Sequence, residues 1–511
     1  MKNDIHYAYK KLLSLTKDII VLSSAQSVIH WDLETMMPPK ALEQRSQQLS
    51  LLSRINHKMS TAPKIGKLLE TIITSPQNAM LGEVEKRNVY LIKKNYDEQT
   101  ALSETLVAKI AKQQAITIDA WKRAKRAKKF ANLKPELGKL LSLNKQAAQI
   151  LMKVKETATP YDAFLDNYEP KMTTRFIEAT FNNLRQGLEK LLEKIQNSQN
   201  QPDSSILGIS ISVEKQRKIA QAITQTLGYD TTSLEAGGRI DETEHPFTSG
   251  YYNDVRVTTH YHPNKYASSI FSILHETGHA IYEQNLNPEW KYQPAGSPCS
   301  FGIHESQSRF YENIIGRSEE FWTHMLPKLK QITGPALSDV RISQFVQAVN
   351  IVEPSKIRIE ADEVTYNLHV IIRFQIEKDL FADKISINEL PEIWNQEYRK
   401  QLGVEVENDS EGVMQDTHWS SGLFGYFPTY ALGNIYSGQL LAALAEEIQN
   451  WRSQLKQGNL KNIRLWLTRN VHSKGDLYDP TDLIKRATGK ELDAKPYLKY
   501  LEEKYSKLYG F

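Results

Sequence analysis

Two histidines four residues apart flank a glutamate in Ile273-Leu274-His275-Glu276-Thr277-Gly278-His279-Ala280-Ile281-Tyr282. On a helix, positions four apart lie one turn apart on the same face, so the imidazoles of His275 and His279 can reach one ion. Glu276 projects beside that face, where it can take a proton from a water near the ion. This is the chemistry of zinc-assisted hydrolysis. Five residues alone do not separate it from a helix whose two histidines are merely hydrogen-bonded.

A catalytic zinc takes three protein ligands and leaves one position for water. No third histidine follows at short spacing, so the third ligand is sought among downstream carboxylates. Glu283, two turns beyond His275, would point along the helix axis, and Glu289 precedes a proline-rich loop. Glu305, in Gly302-Ile303-His304-Glu305-Ser306-Gln307-Ser308-Arg309-Phe310, opens a second amphipathic stretch 305 − 279 = 26 positions after His279. That interval fits a helix end, a loop and an antiparallel return, so Glu305 is the third ligand of choice. Glu312 is expected behind the ligands or in solvent.

The elements that must position these groups are mostly helical. Apolar residues recur at helical spacing over Ala41–Ile55 and over 101–130, 140–157, 173–197, 213–227 and 435–457. Met37-Pro38-Pro39, Gly228-Tyr229-Asp230, Asn287-Pro288 and Gly489 punctuate them. The His-Glu segment has a start near Pro263-Asn264, an apolar set (Ile270, Phe271, Leu274, Ile281) and an end at Asn287-Pro288. Strand signal is confined to Asp254-Val255-Arg256-Val257-Thr258-Thr259, which predicts one small sheet within 245–262. No linker or repeat divides the chain, so one domain over 1–511 is expected, with 245–430 carrying the chemistry.

Composition narrows the class. The 511 residues carry 64 basic and 60 acidic side chains, a net +4 that gives no push towards nucleic acid or an anionic membrane. The basic run Lys122–Lys129 lacks interleaved aromatics and reads as a solvated helix face. The single cysteine, Cys299, allows no intrachain disulfide and suits a reducing compartment. The first residues show no secretory signal, and no uninterrupted apolar run approaches a membrane span. A cytoplasmic protein with no nucleic-acid or membrane partner is the expectation.

Several segments in order resemble the carboxypeptidase Taq family of metallocarboxypeptidases. They are His245-Pro246-Phe247, Asp254-Val255-Arg256-Val257-Thr258, the His275–His279 run and His304-Glu305-Ser306-Gln307. Ile357-Arg358-Ile359-Glu360-Ala361-Asp362 and Gly412-Val413-Met414-Gln415-Asp416-Thr417-His418-Trp419 follow. Trp31–Pro39, Tyr161–Leu165 and Asn470-Val471-His472 extend the likeness over nearly the whole chain, though Ser473-Lys474 departs from it. The resemblance implies a mainly α fold with a deep groove between two helical halves and one small sheet beside the zinc helix. It also implies a homodimer and stepwise removal of C-terminal residues with broad specificity from peptides bearing a free C-terminal carboxylate; one zinc ion is the expected cofactor, and whether cobalt can substitute stays open.

Roles carried by the resemblance follow. His418 and Tyr426 would face the oxyanion of the tetrahedral intermediate, with Tyr430 behind them. Arg358 would grip the substrate carboxylate with its planar fork. Arg256 serves either substrate or the sheet, and His245 either substrate backbone or the cleft wall. Asp362 and Asp416 would orient histidines or arginines. Two other readings stay open. A groove-type oligopeptidase would cleave amidated and free peptides alike, and a structural zinc protein would have no use for Glu276. An aminopeptidase is disfavoured, because no acidic exopeptidase segment precedes the zinc helix.

Overall fold

The helical periodicity becomes twenty α-helices among the described residues, 5–511, of the computed structural model. The first run comprises α1 (Ile5–Thr35), α2 (Leu42–Ser60), α3 (Pro63–Ile73) and α4 (Glu83–Ala101). Next come α5 (Glu104–Ala127), α6 (Lys134–Val154), α7 (Pro160–Leu165), α8 (Thr174–Asn197) and α9 (Val213–Leu227). After the sheet follow α10 (Tyr266–Gln284), α11 (Phe301–Arg309), α12 (Glu319–Thr333), α13 (Ile342–Val349), α14 (Tyr366–Phe381) and α15 (Leu390–Leu402). The chain closes with α16 (Pro428–Glu447), α17 (Trp451–Lys456), α18 (Lys461–Asn470), α19 (Pro480–Thr488) and α20 (Lys495–Tyr509). The stretch expected as one helix over 435–457 is two, broken at Ile448 where the backbone leaves helical angles.

The sheet has three strands, β1 (Gly238–Glu242), β2 (Thr248–Tyr251) and β3 (Asp254–Thr259), in the order β1-β3-β2. It begins seven residues earlier than the sequence suggests, because β1 pairs parallel to β3, Gly238 opposite Val255. β2 pairs antiparallel to β3, Thr248 opposite Val257, and so forms a sheet edge. Val255, Val257, Thr258 and Thr259 are buried, and β3 packs on α10.

Two apolar clusters exist among the described residues. A small one joins Tyr9 and Leu12 of α1, Ile65 and Leu69 of α3, and Val89 and Ile92 of α4. The large one runs from α5 to α20 and includes Ile270, Ile273, Leu274 and Ile281 of α10. Each such aliphatic side chain contributes roughly 1.5–3 kcal/mol when fully buried. The face of α10 opposite His275 and His279 is therefore firmly anchored. Gly278 lies where α10 meets α11: a Cβ there would sit 2.6 Å from the Gln307 carbonyl oxygen and 2.7 Å from Ser308 Cα. Any side chain at 278 would drive apart the two helices that carry the expected ligands.

α1 is long and apolar enough, by length and composition, to cross a membrane, although Lys17 and Asp18 interrupt it. In this fold its Trp31 lies between the guanidiniums of Arg239 and Arg256, 4.9 and 4.6 Å from the ring centre. The basic run ending α5 is mostly exposed, but Lys125 Nζ donates to the Gln415 carbonyl (2.9 Å).

Candidate metal centre

α10 presents His275 and His279 towards Glu305 of α11. The ligand atoms of these three residues lie within 4.8 Å of one another, and they are the one such group among the described residues. Each Nε2 faces the same carboxylate oxygen, Glu305 Oε2, at 3.7 Å from His275 and 3.6 Å from His279. Two imidazole nitrogens and one carboxylate oxygen converging on a point are the donor set of a catalytic zinc site. The residues fit such an ion.

The other side of each ligand is fixed. His275 Nδ1 donates to Glu312 Oε2 (2.8 Å). His304 stands behind His279, with Nδ1 atoms 2.5 Å apart, and its Nε2 faces Glu283 Oε1 at 2.9 Å. Because a carboxylate only accepts, His304 Nε2 donates to Glu283, which leaves the His304 Nδ1 to accept from His279 Nδ1. Both ligand histidines thus keep an Nε2 lone pair for the ion. Arg309 ties the carboxylates together, donating to Glu305 Oε1 (2.7 Å) and Glu312 Oε2 (3.0 Å).

Glu312 therefore sits behind the ligands, one of the two places expected for it. It follows Glu305 by two turns on one face, at a π-helical continuation of α11 over Phe310–Ile315. Burial pushes its carboxyl up, but Arg309 and His275 more than offset this and hold it at about 2. Replacing Glu312 by Gln is expected to weaken metal binding about 10- to 100-fold while the three ligands stay in place. Chelator competition reads this directly, and an unchanged metal affinity would count against the coupling.

Glu276 turns to the neighbouring strand. The Thr248 hydroxyl of β2 donates to Glu276 Oε2 at 2.6 Å and lies 3.0 Å from the Glu276 carbonyl. Burial raises the carboxyl above its ordinary range, with His275 and Thr248 pulling back in part. A carboxylate so placed holds a proton more readily than one in water, as a shuttling base requires.

The centre opens onto a cavity of about 750 Å³. Pro246, Phe247 and Thr248 form one side, and Phe301, Tyr426 and Tyr430 face the ligands. Tyr90, Leu91 and Lys94 of α4, Tyr168 and Cys299 also line the space. Arg87 and Lys94 are the cations on the lining, Arg87 bound to Asp476 and Asp479 and Lys94 to Asp166.

The remaining expected residues fall differently. Tyr426 lines the cavity, held between the rings of Tyr168 and Phe301 at 5.0 and 5.3 Å. Tyr430 also lines it, and His418 stands behind, its Nε2 3.1 Å from the Tyr430 hydroxyl, the reverse of the expected order. Burial holds the His418 imidazole down at about 3 despite Asp416, so the ring is neutral. Arg358 is buried behind Tyr430, 4.9 Å from its ring centre, and does not line the cavity. It donates to Asp416 (2.8 Å) and to the Tyr366 hydroxyl (2.9 Å). Asp416 also accepts from Arg373 (2.8 Å), so two guanidiniums share one carboxylate behind the tyrosines.

Arg256 pairs bidentately with Asp254 and stacks on Trp31, away from the cavity lining. His245 is exposed at the bend before β2, one residue from the lining. Asp362 caps the start of α14 through Thr365 and Val364 and orients no histidine. Sequence reasoning passed over Thr248, the His304–Glu283 pair and Arg309. Arg309 alone had a readable signal, four residues after Glu305 and three before Glu312 on one helix.

Comparison with known proteins identifies a family. The family model described as carboxypeptidase Taq (M32) metallopeptidase matches residues 11–505. The thermostable carboxypeptidase 1 of Thermus thermophilus is 39% identical, covering 98% of this chain and 99% of the relative. Carboxypeptidase 1 of Bacillus subtilis is 38% identical, over 99% of each. The crystal structure of the M32 carboxypeptidase from Deinococcus radiodurans superposes with a TM-score of 0.94 at 32% identity, over 99% of this chain and 100% of that one.

Proposed function

The chain belongs to the carboxypeptidase Taq (M32) metallopeptidase family, and we propose that its metal is zinc, held by His275, His279 and Glu305. The family makes it a metallocarboxypeptidase acting on peptides. Zinc is supported by the donor set of two histidines and one carboxylate, each backed by a hydrogen-bond partner. Cobalt, which accepts the same donors, is the expected substitute. When bound, the ion supplies Lewis acidity that polarises the scissile carbonyl and acidifies water.

The chain's own residues supply the rest. Glu276, steadied by Thr248, takes the proton of the attacking water and passes it to the leaving amine. The hydroxyls of Tyr426 and Tyr430 donate to the developing oxyanion, and neutral His418 orients Tyr430 from behind. Pro246, Phe247 and Thr248, where the chain enters the edge strand β2, lie along the cavity and are read as a wall for the bound peptide. Arg358 acts on the terminal carboxylate. Its guanidinium, paired with Asp416 and 4.9 Å from the Tyr430 ring, is a positive charge lying directly behind the tyrosines of the cavity. His245, at the cavity rim, is read as a contact to substrate backbone.

The observation that carries this reading is the convergence of three ligand atoms beside a buried, hydrogen-bonded Glu276. Mass-spectrometric sequencing of products from a mixed peptide is expected to show stepwise loss of C-terminal residues, abolished by chelator. Amidating the peptide terminus is expected to cut the rate sharply, and Arg358→Met to remove most of that difference. Internal fragments, or equal cleavage of the amidated peptide, would favour the oligopeptidase alternative.

Broad specificity is part of the proposal, supported by a wide cavity with apolar and charged walls. A cytoplasmic location is supported by the lone, buried Cys299. Homodimerisation is supported by the apolar residues α1 and α2 leave exposed, among them Val21, Val28, Leu42 and Leu51.

A further inference from the structure

The geometry points to Glu377 as the positioning residue that fixes the loop presenting Tyr426 and Tyr430 to the substrate, an inference that rests on the role given to those tyrosines above. Glu377 lies on α14, fully buried and off the cavity lining, and makes no ion pair among the described residues. Its two oxygens accept three hydrogen bonds. Oε2 takes the Tyr161 hydroxyl (2.7 Å) and the Gly425 N–H (2.8 Å), and Oε1 takes the Trp419 indole N–H (2.7 Å). A buried carboxylate without a cation is costly unless such donors satisfy it.

Two of the donors, Trp419 and Gly425, bracket the turn that leads directly into Tyr426. Gly425 has φ +85°, and a Cβ on it would lie 2.9 Å from the Phe164 carbonyl carbon and 3.0 Å from the Leu165 nitrogen. The turn is thus pressed against the end of α7, the helix whose Tyr161 gives the third bond. One carboxylate fastens the loop to α7 and α14 at the residue before Tyr426. The start of the loop is held separately, by Arg358 and Arg373 on Asp416. Burial pushes Glu377 up to about 7, with the Tyr161, Gly425 and Trp419 donors and then the Arg373 charge pulling back.

The isosteric swap Glu377→Gln is therefore not silent. The indole and backbone N–H groups only donate, so the new amide NH2 must face one of them, donor against donor. Adding Trp419→Phe removes one of these donors and lets the amide oxygen recover Gly425. The test compares E377Q, E377Q/W419F, W419F, Y426F and Y430F as purified metal-loaded enzymes, measuring metal content, kcat and KM on one peptide.

E377Q is expected to lose about tenfold or more in kcat, with KM within about threefold and full metal content. The double variant is expected to turn over several-fold faster than E377Q. Wild-type kcat in E377Q beside impaired Y426F and Y430F overturns the inference, and so does loss of metal from E377Q. Impaired E377Q beside unimpaired Y426F and Y430F overturns it together with the reading of the tyrosines. If E377Q does not fold, Tyr161→Phe removes one bond more gently and is expected to lower kcat with KM unchanged; a KM-only effect there overturns the inference.

Discussion

Replacing Glu276 by Gln is expected to lower kcat by about 10³-fold while the protein keeps its metal. The carboxylate contributes none of the three converging ligand atoms, so its loss leaves the metal donors intact. The amide fills the same volume and can still accept from the Thr248 hydroxyl, so the hydrogen bond between β2 and α10 survives. What disappears is the capacity to take a proton. No neighbouring group stands ready to replace it: His275 and His279 are the proposed metal ligands, and Glu312 is held at about 2 by Arg309 and His275 after burial is offset. Metal analysis beside a product assay checks both halves. Residual turnover above about a tenth of wild type would remove Glu276 from the role of base.

Removing the third ligand has an effect of comparable size by a different route. Glu305→Ala is expected to release the metal and with it about 10³-fold or more of the rate. Glu305 uses its two oxygens separately: Oε2 faces both histidines, and Oε1 accepts from Arg309. Its removal leaves two imidazoles for the ion and strands part of the buried Arg309 charge, whose remaining partner is Glu312. Some stability is lost as well, since leaving a buried charge unpaired costs about 3–5 kcal/mol. Glu305→Gln keeps an acceptor for Arg309 and separates the two consequences. It should lose metal without the same fall in Tm. Chelated wild-type enzyme should regain activity when zinc is returned, and neither variant should do so at the same concentration. A Glu305→Gln protein that holds a full equivalent of metal would show that the third ligand lies elsewhere.

These two residues illustrate how unevenly the site was legible. His275, Glu276 and His279 could be read because helical geometry fixes the relation of positions one and four apart, whatever surrounds the helix. Glu305 could be chosen among carboxylates because it opens an amphipathic stretch at a distance suited to an antiparallel return. Within that second helix, the relation of Arg309 and Glu312 to Glu305 was equally open to reading. The alternation in Asp254–Thr259 likewise identified β3, but not its parallel partner β1, because register between strands is set by contacts between distant segments.

The mainly helical class and the His-Glu-x-x-His spacing were thus readable in the sequence alone, and Glu305 could be singled out there as the candidate third ligand, through periodicities that act within one element. Tertiary structure decided everything that crosses elements. It brought Thr248 to Glu276 and His304 to His279, and it placed Tyr430 in front of His418 and Arg358 behind both. It also turned Arg256 onto Trp31 instead of the cavity. The reason is that helix approach depends on side-chain volume at the contact, as at Gly278 between α10 and α11, and on buried partners such as Glu377. Neither leaves a period along the chain. Only packing gives those residues their neighbours.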